Sequence, residues 1–176
     1  MLLPDVNVLI YAHREDSHSE HLRFASWLTA LATGPEPFAL SVLTLVGLVR
    51  IVTNPRIFKR PSTLDEALDF ASELVRRPTA RLVGPGPEHW ELVTELCREA
   101  GATAKLVADA QHAAVAIEHG CTFVTTDGDF ARFPRLRWHH PLARWYPIPF
   151  GGGAARWRGR LIFIANAGLC RRVAGS

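Results

Sequence analysis

The chain has 176 residues and a mass of 19.5 kDa, the size of one globular domain at ~100–200 residues per domain, and its 48% hydrophobic and 21% charged content excludes disorder. The longest uncharged stretch, Pro37 to Val49, is shorter than the ~20 residues of a membrane helix, and three cysteines without a Cys-x-x-Cys pair exclude a disulfide framework or zinc finger. The net charge of +3 is uneven: residues 143–176 carry six arginines and no acid, whereas residues 1–142 hold 14 basic against 17 acidic side chains. The N-terminus lacks a cationic leader and Pro4-Asp5 interrupts any signal-peptide core, so a cytoplasmic protein is expected.

The body reads as short apolar strands alternating with amphipathic helices, the pattern of an α/β domain with a mainly parallel sheet. Leu2-Leu3 opens a strand ending at Pro4-Asp5, and Asn7 to His13 is helical. Ser17 to Glu20 has the form of a capping box, starting a helix with Leu22, Ala25, Leu28 and Leu31 inward and Gly34-Pro35 as its stop. Phe38 to Leu40 is a second strand. Leu43 to Val52, apolar except for Arg50, is a buried helix or strand ended by Thr53-Asn54-Pro55, and burial would demand a carboxylate or carbonyl partner for Arg50. Thr63 to Glu66 is another capping box, opening a helix that reaches Arg77. Arg81 to Val83 is a third strand, and Gly84 to Pro87 a turn that puts proline in the first turn of a helix ending at Gly101. Lys105 to His119 is a helix capped by Gly120, and Cys121 to Thr125 is a strand leading into Thr126-Asp127-Gly128-Asp129. Residues 1–142 form the domain. Residues 143–176, arginine-rich around Gly151-Gly152-Gly153, are a weakly ordered or crossover extension, with an RNA-phosphate arm as the functional alternative.

The acids fall where chemistry gathers. Asp5 ends the first strand and Asp127 follows the last; in open parallel sheets functional groups collect outside the carboxyl ends of strands. Asp109 lies among Leu106, Val107, Ala108 and Ala110, where an unpaired carboxylate would be costly. Each has an ordinary reading: Asp5 as a helix cap, Asp127-Gly128 as a turn, Asp109 as a dipole partner. Together they describe a site for a hard divalent cation, Mg²⁺ or Mn²⁺, suited to phosphodiester hydrolysis. Asp129, Asn7 and Thr126 are auxiliary candidates, with Thr125 beside them, and His13, Arg14 and Arg56 are candidates for RNA-phosphate contact at the rim. His112 shares a helical face with Asp109, and packing is its favoured role.

Four segments, Leu3 to Ala12, Val52 to Phe58, Ala108 to Ala114 and Val124 to Phe130, together resemble a PIN domain, and more narrowly the VapC toxins of bacterial type II toxin–antitoxin modules. The likeness spans Met1 to about Leu142. It implies a three-layer α/β/α fold with a mainly parallel central sheet, and a Mg²⁺- or Mn²⁺-dependent endoribonuclease that is inhibited by a VapB-type antitoxin and is commonly dimeric. By the resemblance, Asp5 and Asp109 match the principal metal ligands and Asp127 the further acid, with Asp129 close enough to assist. One position departs: where the family commonly has an acid after the serine of its second motif, Ser41 is followed here by Val42. That departure supports an alternative, a weakened PIN domain that binds RNA or antitoxin without cleaving. A phosphomonoesterase with an aspartyl nucleophile would want an acid at position 7, which is Asn7. The apolar content of Leu43 to Val52 and Leu68 to Val75 exceeds what one layer on a small sheet needs, so a homodimer is expected.

Overall fold

The computed structural model describes residues 1–143; beyond Ala143 the arginine-rich extension lies outside the described residues. Strands β1 (Leu2–Pro4), β2 (Phe38–Ser41), β3 (Ala80–Val83), β4 (Thr122–Val124) and β5 (Trp138–His139) form one parallel sheet in the order β3-β2-β1-β4-β5. The helices are α1 (Val6–His13), α2 (His21–Thr33), α3 (Val42–Val52), α4 (Leu64–Val75), α5 (His89–Ala100) and α6 (Lys105–Glu118). Two apolar clusters make the arrangement three-layered. One joins α1 to α4 through residues such as Leu9, Phe24, Leu48 and Leu74; the other joins α5 and α6 through Leu96, Ala113, Phe123 and Phe130. The order of the sheet switches at β1, which has β2 on one side and β4 on the other.

Local chemistry explains most boundaries. The Thr63 hydroxyl accepts from the Glu66 N–H while the Glu66 carboxylate accepts from the Thr63 N–H, so α4 begins at a complete capping box. Its buried residues Ala67, Phe70, Ala71 and Leu74 follow a single helical stripe. Gly101 ends α5 at φ +58°, a left-handed conformation that glycine adopts without Cβ strain.

Other expectations are corrected. Ser17 belongs to a short 3-10 turn (Glu15–Ser17) and α2 starts later, at His21. Its buried face is His21, Phe24, Trp27, Leu28, Leu31 and Ala32, leaving Leu22 71% exposed. The aromatic pair Phe24 and Trp27 removes more apolar area from water than Leu22 and Ala25 could, and it sets the rotation of the helix. Segment α3 is a helix buried on one face only: Thr44, Leu48 and Val52 point inward while Val42, Val46 and Arg50 are exposed. Arg50 therefore requires no buried partner. Pro87 precedes the N-cap Glu88 and does not enter the first turn of α5. The two-residue strand β5 and the 3-10 helix Gly128–Arg132 are too short to leave a periodic signature.

Leu9 is fully buried, and its N–H donates to the Asp5 carbonyl (3.2 Å), which makes it the packing anchor beneath the first acid. Leu9→Ala is expected to lose about 2–5 kcal/mol of stability in urea denaturation, the range for a leucine cavity that cannot collapse.

Candidate active site

The site begins with a backbone bond. Register pairs Pro4 with Val124, and the Asp5 N–H donates to the Val124 carbonyl at 2.8 Å, so the carboxyl ends of β1 and β4 lie side by side. The next residues, Asp5 and Thr125, are consequently neighbours. The Thr125 hydroxyl, fully buried, donates to Asp5 Oδ2 (2.7 Å) and accepts from the Asp127 N–H (3.0 Å) and Asn7 Nδ2 (3.2 Å). One threonine thus orients an acid from each strand end. The expectation for Thr126 moves to its neighbour: Thr125 points inward, and Thr126 takes no part in this network.

The ordinary roles of Asp5 and Asp127 hold alongside the site role. Asp5 Oδ1 accepts from the Val6 N–H (2.6 Å) and caps α1; Asp127 Oδ1 accepts from the Asp129 N–H (2.9 Å) and caps the 3-10 helix. Each carboxylate spends one oxygen on a helix end and turns the other toward the site. Asp109 comes from the second turn of α6, is 8% exposed, and its Oδ2 accepts no hydrogen bond. Asn7 Oδ1 is likewise buried without a partner. Single oxygens of Asp109, Asp127 and Asp129 lie within 4.8 Å of one another.

A residue that the sequence reading passed over stands among them. Lys105 Nζ is 2.5 Å from Asp127 Oδ2, 3.3 Å from Asp129 Oδ2 and 3.9 Å from Asp109 Oδ2. The spacing of Lys105 and Asp109, four residues apart at a helix start, was the available signal. Burial pushes the Asp5 carboxyl up to about 6 against the opposing bonds from Thr125 and Val6, and the Asp127 charge adds to the rise. Burial also raises Asp109, opposed by Lys105 and assisted by the Asp127 and Asp5 charges. At Asp127 burial pushes upward, but the Lys105 hydrogen bond and the Asp129 N–H outweigh it and hold the carboxyl below its usual range. Lys105, hydrogen-bonded to Asp127 and Asp129, is held well above the usual lysine value.

This donor set fits a hard divalent cation. Its donor atoms are oxygens, a buried oxygen of Asp109 accepts no hydrogen bond, and the protein's own ammonium already marks the cluster as a place that holds positive charge. The rim candidates fare differently. His13 contacts Ser62 at 3.1 Å and packs on Phe70, and burial together with Arg14 lowers its pKa to about 4. Arg14 is bound to Asp16, Ser62 and the Arg60 carbonyl and lies over Phe58. Both are occupied in tertiary structure, and of the three only Arg56 is exposed. His112 stacks against Phe123, and burial lowers its pKa, as packing requires.

Residues 2–136 match the family model described as the PIN domain. The chain is 42% identical over 142 residues to ribonuclease VapC43 of Mycobacterium tuberculosis, an alignment covering 81% of this chain and 96% of that one. It is 40% identical over 141 residues to ribonuclease VapC25 of the same organism, covering 80% and 99%. Among solved structures it is similar to VapBC2 from Rickettsia felis bound to a promoter DNA fragment (TM-score 0.56, 17% identity, covering 79% of this chain and 97% of that one). VapBC-1 from nontypeable Haemophilus influenzae superposes with a TM-score of 0.57 at 14% identity, covering 80% and 97%. At these identities the structures speak for the fold.

Asp5 gives the site a pH signature. Its folded pKa of about 6 exceeds the ordinary 3.8, so the stability contributed by the neutral carboxyl is full below pH ~4 and is lost as pH rises through 6. In EDTA, the wild type is expected to lose about 3 kcal/mol relative to Asp5→Asn between pH 4 and 7, read from urea midpoints. Parallel pH profiles for the two proteins would contradict the assignment.

Proposed function

Because the chain belongs to the PIN-domain family and aligns over most of its length with VapC ribonucleases, we propose that it is the endoribonuclease toxin of a type II toxin–antitoxin module. The observation that carries this reading is the cluster of single oxygens of Asp109, Asp127 and Asp129 within 4.8 Å of one another, with Asp5 tied to the same strand ends through the Thr125 hydroxyl. In this reading Asp5 and Asp109 hold Mg²⁺ or Mn²⁺, Asp127 completes the shell and Asp129 assists. A divalent ion bound there supplies Lewis acidity at the phosphoryl oxygen and a water of lowered pKa. The protein's part is positional. Thr125 fixes the angle of Asp5, and Asn7, held by Thr125, offers its free Oδ1 to orient a water or a ligand. A groove lined by Asn7, Ile10, Tyr11, Asp16, Phe58 and Lys59, among others, shares Asn7 with the site, and we assign exposed Lys59 and Arg56, the latter next to the lining residue Ile57, to phosphate contacts with single-stranded RNA.

Partners follow from the surface. Val42 and Val46 on α3 and Leu64, Leu68 and Val75 on α4 are exposed apolar side chains on helices that pack together. We assign this surface to a homodimer, with a VapB-type antitoxin segment covering the acidic cluster. Among the described residues no helix is long and apolar enough to cross a membrane.

RNA cleavage, Mn²⁺-induced thermal shift and light scattering test the proposal. The wild type is expected to cleave RNA with Mg²⁺ or Mn²⁺ and to stop in EDTA. Asp109→Asn is expected to lose at least 100-fold in rate and most of the Mn²⁺-induced thermal shift. Cleavage at full rate in EDTA would remove the metal mechanism. Val42, 43% exposed at the start of α3, sustains the binding-only reading, and an inactive wild type beside an active Val42→Glu variant would establish it. For assembly, light scattering at micromolar concentration is expected to give twice 19.5 kDa; the monomer mass would refute the dimer.

A further inference from the structure

The acidic cluster contains a cation that the chain itself supplies. Lys105 Nζ contacts Asp127 at 2.5 Å and Asp129 at 3.3 Å, but its 3.9 Å separation from Asp109 Oδ2 is beyond hydrogen-bond reach. The ammonium therefore hydrogen-bonds the outer pair of acids, while the buried oxygen of Asp109 meets it only as an ion pair and accepts no hydrogen bond. Lys105 is the first residue of α6. Ala104, the residue before it, has φ +48° and ψ −118°, a strained conformation for alanine at the N-cap of α6. The side chain of Lys105 is nonetheless 65% exposed, so the ammonium meets both the carboxylates and whatever enters from solvent.

Phosphodiester enzymes with two metal ions use the pair as a clamp on the attacking and leaving oxygens, with carboxylates supplying both ions. Here the carboxylate supply is short. Val42 provides none at the end of β2, and Asp127 and Asp129, the ligands remaining for an outer ion, are both bonded to Lys105. We propose that Lys105 is the second cation of the site: the chain binds one divalent ion, at Asp5 and Asp109, and the tethered ammonium occupies the outer position over Asp127 and Asp129. Asp127 serves both charges. The ammonium is a fixed point charge that needs no recruitment from solution, and its exposed face is available to a phosphate oxygen of the substrate.

The inference rests on the metal-nuclease reading above, and counting bound ions separates the two. Mn²⁺ binding to the full chain, followed by calorimetry and by electron paramagnetic resonance of free Mn²⁺, is expected to saturate at one ion per chain. Lys105→Met, which keeps the length and exposed position of the side chain without its charge, is expected to take up a second. Lys105→Arg is expected to remain at one, and Lys105→Met combined with Asp129→Asn to return to one. A wild type that binds two ions, or a Lys105→Met variant that binds one with an affinity within twofold of wild type, overturns the role of Lys105 and leaves the nuclease reading standing. Absence of Mn²⁺ binding in both proteins overturns both.

Discussion

The parallel pairing of β1 with β4 is the constraint on which the site depends. Only when Asp5 N–H meets the Val124 carbonyl do residues 122 positions apart in sequence, Asp5 and Asp127, come within reach of one threonine hydroxyl. A buried hydroxyl that donates once and accepts twice has no hydrogen-bonding capacity left, which is why Thr125 is fully enclosed without penalty. Its three partners are an acid, an amide and a backbone N–H, so a single side chain sets the geometry of both strand ends. The sheet order switches at β1, the kind of position where open parallel sheets gather functional groups.

Around that frame the fold concentrates negative charge against its own stability. Asp5 and Asp109 are both raised by burial, and each feels the other acids. The tension is reduced in two ways. Helix caps use one oxygen of Asp5 and one of Asp127, turning the local cost of a carboxylate into a stabilising contact. Lys105 then neutralises part of the outer cluster. What remains without a hydrogen-bond donor is the buried Asp109 oxygen, 3.9 Å from the Lys105 ammonium, and in the proposed reading a bound cation would complete it.

The two apolar clusters divide the labour. The α5–α6 side is closed by small and aromatic residues, with Ala110, Ala113, Ala114 and Ala116 fully buried, so the helix bearing Asp109 lies tight against the sheet. The α3–α4 side buries one face and exposes Val42, Val46, Leu64 and Leu68. Close packing thus underlies Asp109, while Val42, Val46, Leu64 and Leu68 lie on helices whose buried faces belong mainly to the other cluster.

Much was legible in the chain itself. Strand-helix alternation, the Thr63-Glu66 capping box and the glycine stops are local signals, and local signals survive in sequence because hydrogen bonds between residues within four positions make them. The acids were legible for a related reason: a carboxylate in an apolar run, as at Asp109, is costly wherever the chain folds. What sequence left open depended on partners distant in the chain. The rotation of α2 was decided by Phe24 and Trp27 finding the core, and Arg50 turned outward once α3 buried one face only. Thr125 and Thr126 are equivalent as residue types, and only the backbone leaving β4 decided which hydroxyl faces Asp5. The contacts of His13 and Arg14 are with Phe70, Phe58 and Ser62, none of them near in sequence. Composition and spacing determined which groups had to be neutralised; the tertiary structure alone decided what neutralises them, because charge compensation acts through distance in space and not along the chain.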